Sequence, residues 1–439
     1  MGDEKDQDTA NEASIAHELR RFTIHIDSLA ETINPMMFAL SKIMKKNAKD
    51  ITEYEKKNGN VEKTDRGFRV RFDSEKRFND FVKLVMQNHK YSLADKLIPR
   101  SIMISLISQY DVLLGGIIRV LSKRQPKSMN LADKILTFSQ LQNFNSIEEA
   151  REHLIENEID AVLRSSHTEQ IQWLEKKYDV VLRKDLKIWP IFIEATERRN
   201  LFVHSNGVIS RQYINVCEEH NVDLPKDICV GHKLGVTPEY FKTVYDCIFE
   251  MGVGLAHVLW RKVLPDDRLK ADENLNSICY DLLESEKFNL ACTMLDFATK
   301  IPKRYIDDNY RRMFIVNRAQ AYKWIGDENT AKKIISSEDW SATNASFRLA
   351  KAVILDDFAE ADNLMREIGP RGYIDKDAYQ IWPLFREYRK SEGFQKTYYD
   401  IFGEVCYLTT VETIPIESHS EKIMQVVNDI QIGISPIEE

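Results

Sequence analysis

Apolar residues recur at the three- and four-residue spacing of an α-helix along most of this chain, and helix-breaking residues are rare between them. The 439 residues include only 16 Gly and 12 Pro. An all-β chain of this length needs many tight turns, which Gly and Pro normally provide. We therefore predict an all-α fold. The predicted helices cover residues 13–49, 74–87, 102–121, 146–163, 167–177, 189–204, 210–219 and 237–262.

A single segment in the first half of the chain has the spacing of a β-strand. Residues 67–72, with the sequence GFRVRF, alternate apolar and basic side chains after a polar stretch at 56–60. We expect little other β-structure.

Changes in composition divide the chain into four predicted parts. The chain becomes rich in Ile, Leu and Val after Pro99, and the Pro-Asp-Asp sequence at 265–267 has the character of a domain boundary. The predicted parts are a mostly helical N-terminal extension at 1–95, a helical bundle at 96–264, paired helices at 265–402 and an acidic C-terminal tail at 403–439.

The paired helices after residue 265 resemble tetratricopeptide repeats, although only loosely. Ala319, Tyr322, Gly326 and Ala331 match the small–aromatic–turn–small spacing of one such repeat. Ala291 and Ala361 occupy the place of Ala331 in two weaker matches. They lie 40 and 30 residues from Ala331, whereas the usual repeat length is about 34. Such hairpins present a groove to a protein or peptide, so we expect them to dock a protein regulator or partner and to hold no catalytic residue.

The charge balance argues against a protein that coats nucleic acid through a basic surface. Lys and Arg total 61 and Asp and Glu total 69, which gives a net charge of −8 and a pI near 5.8. A local basic cleft stays compatible with this balance.

The cysteines, the N-terminal sequence and the most apolar stretch each bear on where the protein is located. The six cysteines form no Cys-x2-Cys pair, so we predict neither a zinc ribbon nor a disulfide framework, and a cytoplasmic location is expected. The acidic N-terminus lacks the pattern of a signal peptide. The apolar stretch 102–121 contains Asp111 and Arg119, which argues against a membrane span. No metal or other cofactor is expected.

The most informative segment is 189–207, WPIFIEATERRNLFVHSNG. On a helical wheel its apolar residues form one broad face, with Arg199 and Asn200 inside that face and His204 at its edge. The opposite side, where we expect solvent, carries Glu194, Arg198 and Ser205. An Arg and an Asn on an apolar face are costly unless they are paired. They indicate either a buried hydrogen-bond network that fixes the helix register or a polar site at an interface between helices or protomers.

The spacing Arg199-Asn200-x3-His204 resembles the Arg-x4-6-His motif of the HEPN superfamily, whose second residue is typically Asn, Asp or His. The similarity extends over roughly 96–264, although Asn206 stands where some HEPN toxins carry a Tyr that a partner enzyme modifies. The resemblance implies a HEPN-type helical bundle that cleaves RNA as a homodimer, with two motifs face to face. Similarity to defence-associated members implies a bacterial anti-phage or toxin-like role.

The resemblance assigns catalysis to Arg199, Asn200 and His204. RNA cleavage by its own 2′-hydroxyl needs a base for that hydroxyl, an acid for the leaving 5′-oxygen and a cation for the extra negative charge. His titrates at about pH 6.5 and can act as base or acid, and Arg binds phosphate oxygens through a permanently charged fork. Asn200 can orient the imidazole or bind phosphate. We therefore expect metal-independent cleavage that leaves a 2′,3′-cyclic phosphate.

Further residues are candidates for supporting the site or binding RNA. Asp111 can pair with Arg199, or it can simply fix the register of its helix. Two short basic runs are either solvated surface or part of a phosphate track. The candidate RNA-binding residues are Arg198, Ser205, Arg119, Lys123, Arg183 and Lys187.

Two functions from different classes follow from these observations. The first is a metal-independent HEPN-type endoribonuclease with RNA as its substrate. The second is a catalytically silent HEPN-type dimerisation or RNA-binding module that acts as an adaptor through its helical repeats. The presence of both ionisable motif residues, Arg199 and His204, favours the first.

Overall fold

The computed structural model of the protein describes residues 14–65, 67–125, 135–184, 186–225, 227–300 and 304–406. Nearly all of the regular structure in these ranges is α-helical, and a two-stranded antiparallel sheet is their only sheet. The predicted all-α class is therefore confirmed. The chain divides into two compact units, Met1–Ile315 and Val316–Glu439.

The first unit is a helical bundle with one β-hairpin. Its elements are α1 (Ile15–Asn58), β1 (Gly59–Thr64), β2 (Gly67–Phe72), α2 (Glu75–Arg124), α3 (Phe138–Leu141), α4 (Ile147–Arg164), α5 (His167–Tyr178), α6 (Trp189–His204), α7 (Arg211–Glu219), α8 (Pro238–Val263), α9 (Arg268–Glu284) and α10 (Phe288–Lys300). The next helix, α11 (Asp308–Trp324), contains the division between the units.

The hairpin joins the two longest helices, α1 and α2. Its strands pair antiparallel, with Gly59 opposite Phe72. The ring of Phe72 lies 6.3 Å from that of Tyr54 in α1 and 5.0 Å from that of Phe81 in α2, so the hairpin packs onto the ends of both helices. The predicted strand at 67–72 is confirmed as β2. Its partner β1 escapes prediction because its sequence, GNVEKT, does not alternate apolar and polar residues.

The N-terminal helices, predicted as a mostly helical extension at 1–95, belong to the same compact unit as the bundle. Phe22 of α1 packs so closely on Gly252 of α8 that a Cβ at Gly252 would lie 2.6 Å from the Phe22 ring. Helix α2 also crosses the predicted boundary, because it continues for 50 residues with Pro99 buried inside it. Proline would normally end an isolated helix, but packing against α1 and α8 stabilises α2 on both sides of Pro99.

Helices α4 to α8 begin and end within one residue of the predicted positions because their caps are local. The N-cap side chains, each of which accepts a hydrogen bond from a backbone N–H in the first turn, are Ser146, Ser166, Ser210 and Thr237. Helix α6 has Pro190 in its first turn instead. It is followed by Gly207, whose φ of 81° lies in the left-handed region that favours glycine.

The chain beyond α8 packs back onto the bundle, so the first unit continues past the predicted boundary at residue 264. The segment Pro265–Asp267 forms a 3₁₀ turn, and α9 and α10 pack against α8. Arg261 and the fully buried Asp272 form an ion pair across this turn, with 2.6 Å between Nη1 and Oδ1. Because a buried carboxylate needs a partner, this contact holds α9 to the end of α8.

The C-terminal unit is built from short paired helices. After the end of α11, its elements are α12 (Glu328–Ser336), α13 (Ala345–Ile354), α14 (Phe358–Ile368), α15 (Lys376–Ile381) and α16 (Glu392–Phe402). Ala331 is buried and Tyr322 is half-buried, as expected of residues that pack between paired helices. The kinship of these pairs with tetratricopeptide repeats stays a prediction. Residues 407–439, most of the predicted acidic tail, lie outside the described residues.

Within the described ranges, α2 alone is long and apolar enough to cross a membrane by length and composition. However, 56% of its most apolar window is buried inside the protein, as in the core helix of a bundle. The apolar character of α2 is therefore weak evidence for a membrane span.

The buried imidazole of His257, in the second half of α8, makes the stability of the fold sensitive to acid. Burial, with a smaller contribution from Arg261, lowers the pKa of His257 from 6.5 to about 3. Between these values the unfolded chain binds a proton at His257 that the folded chain does not, so the free energy of unfolding falls as the pH falls. Between about pH 7 and pH 5, the free energy of unfolding of His257→Leu should fall by about 2 kcal/mol less than that of the wild type. Urea unfolding at the two pH values measures this difference.

The exposed histidine of α2, His89, provides the control for this experiment. His89→Leu should keep the wild-type dependence of unfolding free energy on pH. An unchanged pH dependence in His257→Leu would contradict a neutral, buried imidazole at this position.

Candidate functional site

A buried carboxylate fixes the position of α6, the helix that carries the motif. Glu194 accepts hydrogen bonds from the Tyr213 hydroxyl of α7 at 2.6 Å and the Tyr240 hydroxyl of α8 at 2.5 Å. The Arg198 Nε donates to the same carboxyl group at 2.6 Å, and its guanidinium lies 3.7 Å over the Tyr240 ring. This arrangement, which we call the Glu194 network, joins three helices.

The Glu194 network contradicts the predicted solvent exposure of Glu194 and Arg198. Their side chains are only 7% and 13% exposed, because α7 and α8 cover this side of α6. Burial raises the pKa of both Tyr213 and Tyr240, and the nearby carboxylate raises it further, so both hydroxyls stay protonated and act as donors. A helical wheel shows only the residues of α6, so it cannot reveal that α7 and α8 supply partners that bury these polar side chains.

On the opposite side of α6, Asp111 of α2 lies between two nitrogen groups from different helices. Its Oδ2 lies 3.9 Å from Nη2 of Arg199, and its Oδ1 lies 3.2 Å from Nε2 of His167, the first residue of α5. His167 is buried, whereas the Arg199 side chain is 26% exposed. Asp111 therefore lies against the guanidinium as its ion-pair partner, and the Arg199 side chain as a whole stays partly exposed. The interaction of Asp111 with Arg199, left open by the sequence, is present.

Asn200 connects Arg199 to a carboxylate that sequence analysis misses. The Arg199 Nη1 donates to Oδ1 of Asn200 at 3.1 Å, and the Asn200 Nδ2 donates to Oε1 of Glu197 at 3.4 Å. Burial raises the pKa of Glu197, although the nearby His167 and His220 act in the opposite direction. On the wheel of α6, Glu197 lies about 20° from His204, so its position was available from the sequence.

A second imidazole close to α6 belongs to His220, which follows α7. The Trp189 Nε1 donates to Nδ1 of His220 at 3.3 Å, and the Thr168 hydroxyl lies 3.4 Å from its Nε2. His220 is half-buried. No motif in the sequence connects it to α6, because the contact depends on the fold of the chain between the two helices.

His204 and Ser205 lie at the C-terminal end of α6, and both are exposed. The backbone beyond them is fixed: Arg100 of α2 donates to the carbonyl oxygens of Asn206 at 3.3 Å and Leu234 at 2.8 Å. The structure thus places the predicted catalytic imidazole at the surface, at a helix end that is followed by backbone hydrogen-bonded to Arg100.

The predicted RNA-binding cations fall into two groups. Arg119 binds Glu156 through two hydrogen bonds of 2.6 and 2.7 Å, and Arg183 binds Glu175 at 3.0 and 2.7 Å. Like Arg198, these two arginines already have a carboxylate partner in the chain. The side chains of Lys123 and Lys187 are exposed. The lysines therefore offer their charge to solvent more fully than the arginines.

No family model, curated protein or solved structure matches this chain. Within the described ranges, the His, Cys, Asp and Glu side chains form no group of three or more that could hold a metal ion.

The Glu194 network predicts a large stability effect. Glu194→Ala should lower the free energy of unfolding by about 3–5 kcal/mol, because it leaves the buried Arg198 charge without its carboxylate partner. Glu152→Ala, which removes an exposed carboxylate from α4, should change it by less than about 0.5 kcal/mol. Urea unfolding of both variants measures the difference. Equal effects of the two substitutions would show that the network does not hold α6.

Proposed function

We propose that this protein is a metal-independent HEPN-type endoribonuclease that acts as a homodimer in the cytoplasm, with Arg199, Asn200 and His204 as catalytic residues. The observation that carries the proposal is Arg199, whose guanidinium lies 3.9 Å from Asp111 and donates to Asn200 and whose side chain is 26% exposed. It lies on the same helix as the exposed imidazole of His204. A held cation and an accessible imidazole are the two groups that cleavage by a 2′-hydroxyl requires.

The proposed reaction is an in-line displacement at phosphorus. A neutral His204 takes the proton of the 2′-hydroxyl, the 2′-oxygen bonds to phosphorus, and the bond from phosphorus to the 5′-oxygen breaks. A second, protonated His204 donates a proton to that 5′-oxygen. Arg199 binds the non-bridging oxygens, where negative charge increases in the transition state. The products are a 2′,3′-cyclic phosphate and a 5′-hydroxyl.

The role of Asp111 in this reaction is to position Arg199. Its carboxylate contacts both Arg199 and the buried His167, so it is fixed from two sides. A guanidinium held in this way loses less conformational freedom when it binds phosphate.

The need for two imidazoles supports a dimer. One His204 cannot readily act as base and acid in the same step, and its exposure allows a second copy to approach. Val112 follows Asp111 on α2, Val203 precedes His204 on α6, and both valines are 48% exposed. We propose that these exposed apolar side chains, on two helices that pack together, border the face that a second copy covers.

A catalytically silent dimerisation or RNA-binding module is the second candidate function. It is favoured by the carboxylate partners of Arg119, Arg183 and Arg198, which reduce the positive charge available to RNA. Such a module would keep its dimer and cleave nothing.

The helical pairs at 265–402 are proposed to dock a protein regulator, in a bacterial anti-phage or toxin-like system. Their sequence supports a role outside catalysis, because no His occurs from residue 268 to residue 400. Acid–base chemistry by imidazole is therefore confined to the remainder of the chain.

Replacement of His204 tests the catalytic role. In the presence of EDTA, His204→Ala should cleave RNA about 10²–10⁴ times more slowly than the wild type, the usual effect of removing a general acid or base. His153→Ala, which removes an exposed histidine from α4, should cleave at the wild-type rate. Wild-type activity that disappears with EDTA and returns with Mg²⁺ would refute the metal-independent mechanism.

Replacement of Val203 tests the dimer face. Val203→Lys should shift the protein from dimer to monomer in analytical ultracentrifugation, because two like charges would meet across the symmetric contact. Val61→Lys, at a residue of the same 48% exposure on β1, should leave the dimer intact. A dimer that survives Val203→Lys, or a wild-type protein that sediments as a monomer, would exclude this face.

A further inference from the structure

A cavity of about 620 Å³ lies between α1, α2 and the start of α8. Its volume is in the range of ligand pockets, roughly 300–1,000 Å³. Its wall includes the apolar side chains of Ile33, Met37, Pro99 and Phe241. On α2 it involves the turn at Pro99 and not the turn that carries Asp111, which lies roughly 18 Å further along the helix. The cavity is therefore separate from the candidate active site.

The charged part of the wall is negative. Asp95 of α2 and Glu239 of α8 both line the cavity, and neither carboxylate forms an ion pair among the described residues. The wall also contains Lys242, but its Nζ lies 2.6 Å from Oδ2 of Asp246. Lys242 therefore has a carboxylate partner of its own, whereas Asp95 and Glu239 have no ion-pair partner among the described residues, and the charges of the wall sum to a negative value.

The aromatic part of the wall consists of Phe241 and Tyr245. The Tyr245 hydroxyl is already used: it donates to Asp27 and accepts a hydrogen bond of 3.0 Å from Nζ of Lys287. The same Lys287 ammonium lies 5.2 Å from the centroid of the Tyr245 ring. Tyr245 therefore adds hydrocarbon surface to the wall, and the attraction for a cation comes from the carboxylates.

We propose that this cavity binds an apolar organic cation, an amine or quaternary ammonium group carried on a hydrocarbon body. The hydrocarbon is buried against the apolar wall, and the cationic group lies near Asp95 and Glu239. An anion of the same shape would meet two unpaired carboxylates. A neutral molecule would bring hydrocarbon against those charges without compensating them. The charge of the wall thus selects a cation, whatever the function of the distant motif.

Three probes with the same ten-carbon chain test this proposal: decyltrimethylammonium, decanol and decanoate. Each is titrated into the full-length protein by calorimetry, below its micellar concentration. The ammonium probe should bind at one site per chain and more tightly than the other two. Asp95→Asn should weaken its binding about tenfold, the effect of losing one charge-assisted contact, and should leave decanol binding unchanged.

The controls separate this site from general attraction to an acidic protein. Asp80→Asn, which removes another carboxylate from α2 outside the cavity, should bind the ammonium probe like the wild type. Ala30→Trp, which fills the cavity from α1, should abolish its binding. The proposal is overturned by any of three results: no saturable binding of the ammonium probe, decanoate binding of equal strength, or equal weakening by Asp80→Asn and Asp95→Asn. A parallel loss of decanol binding in Asp95→Asn would also overturn the electrostatic role.

Discussion

The carboxylate of Glu194 is the group on which the geometry of the motif helix depends. A charge buried to this degree is tolerated only with several good donors, and it has three: two tyrosine hydroxyls and the Arg198 guanidinium. Because these donors come from α6, α7 and α8, turning α6 about its axis by even one residue would break these hydrogen bonds. Contacts on the face of α6 opposite the motif therefore fix the orientation of the helix about its axis.

That fixed orientation decides what the other side of α6 presents. Arg199 meets Asp111, Asn200 contacts both Arg199 and Glu197, and His204 lies at the exposed end of the helix. The residues that fix the register of α6, Glu194 and Arg198, lie on the side where the sequence predicts solvent. Arg199 and Asn200, the polar break in the apolar face, form a half-exposed polar cluster with Asp111 and Glu197.

The parts of the fold that the sequence predicts are those set by nearby residues. Ser146, Ser210 and Thr237 cap helices within their own first turns, and the alternation at 67–72 marks a strand. Contacts between distant residues escape prediction. Tyr213 and Tyr240 reach Glu194 from 19 and 46 residues away, and nothing local marks them as its donors. Likewise, a helix that continues through Pro99 depends on packing against other helices.

In the proposed reaction the 2′-hydroxyl of RNA is the nucleophile, and His204 and Arg199 supply the acid–base chemistry and the countercharge. Mass spectrometry of the RNA ends produced by the full-length protein in EDTA distinguishes this reaction from attack by water. The products should carry a 2′,3′-cyclic phosphate at one end and a 5′-hydroxyl at the other. Products with a 3′-hydroxyl and a 5′-phosphate, which require water as the nucleophile, or intact RNA after prolonged incubation, would contradict the proposed reaction.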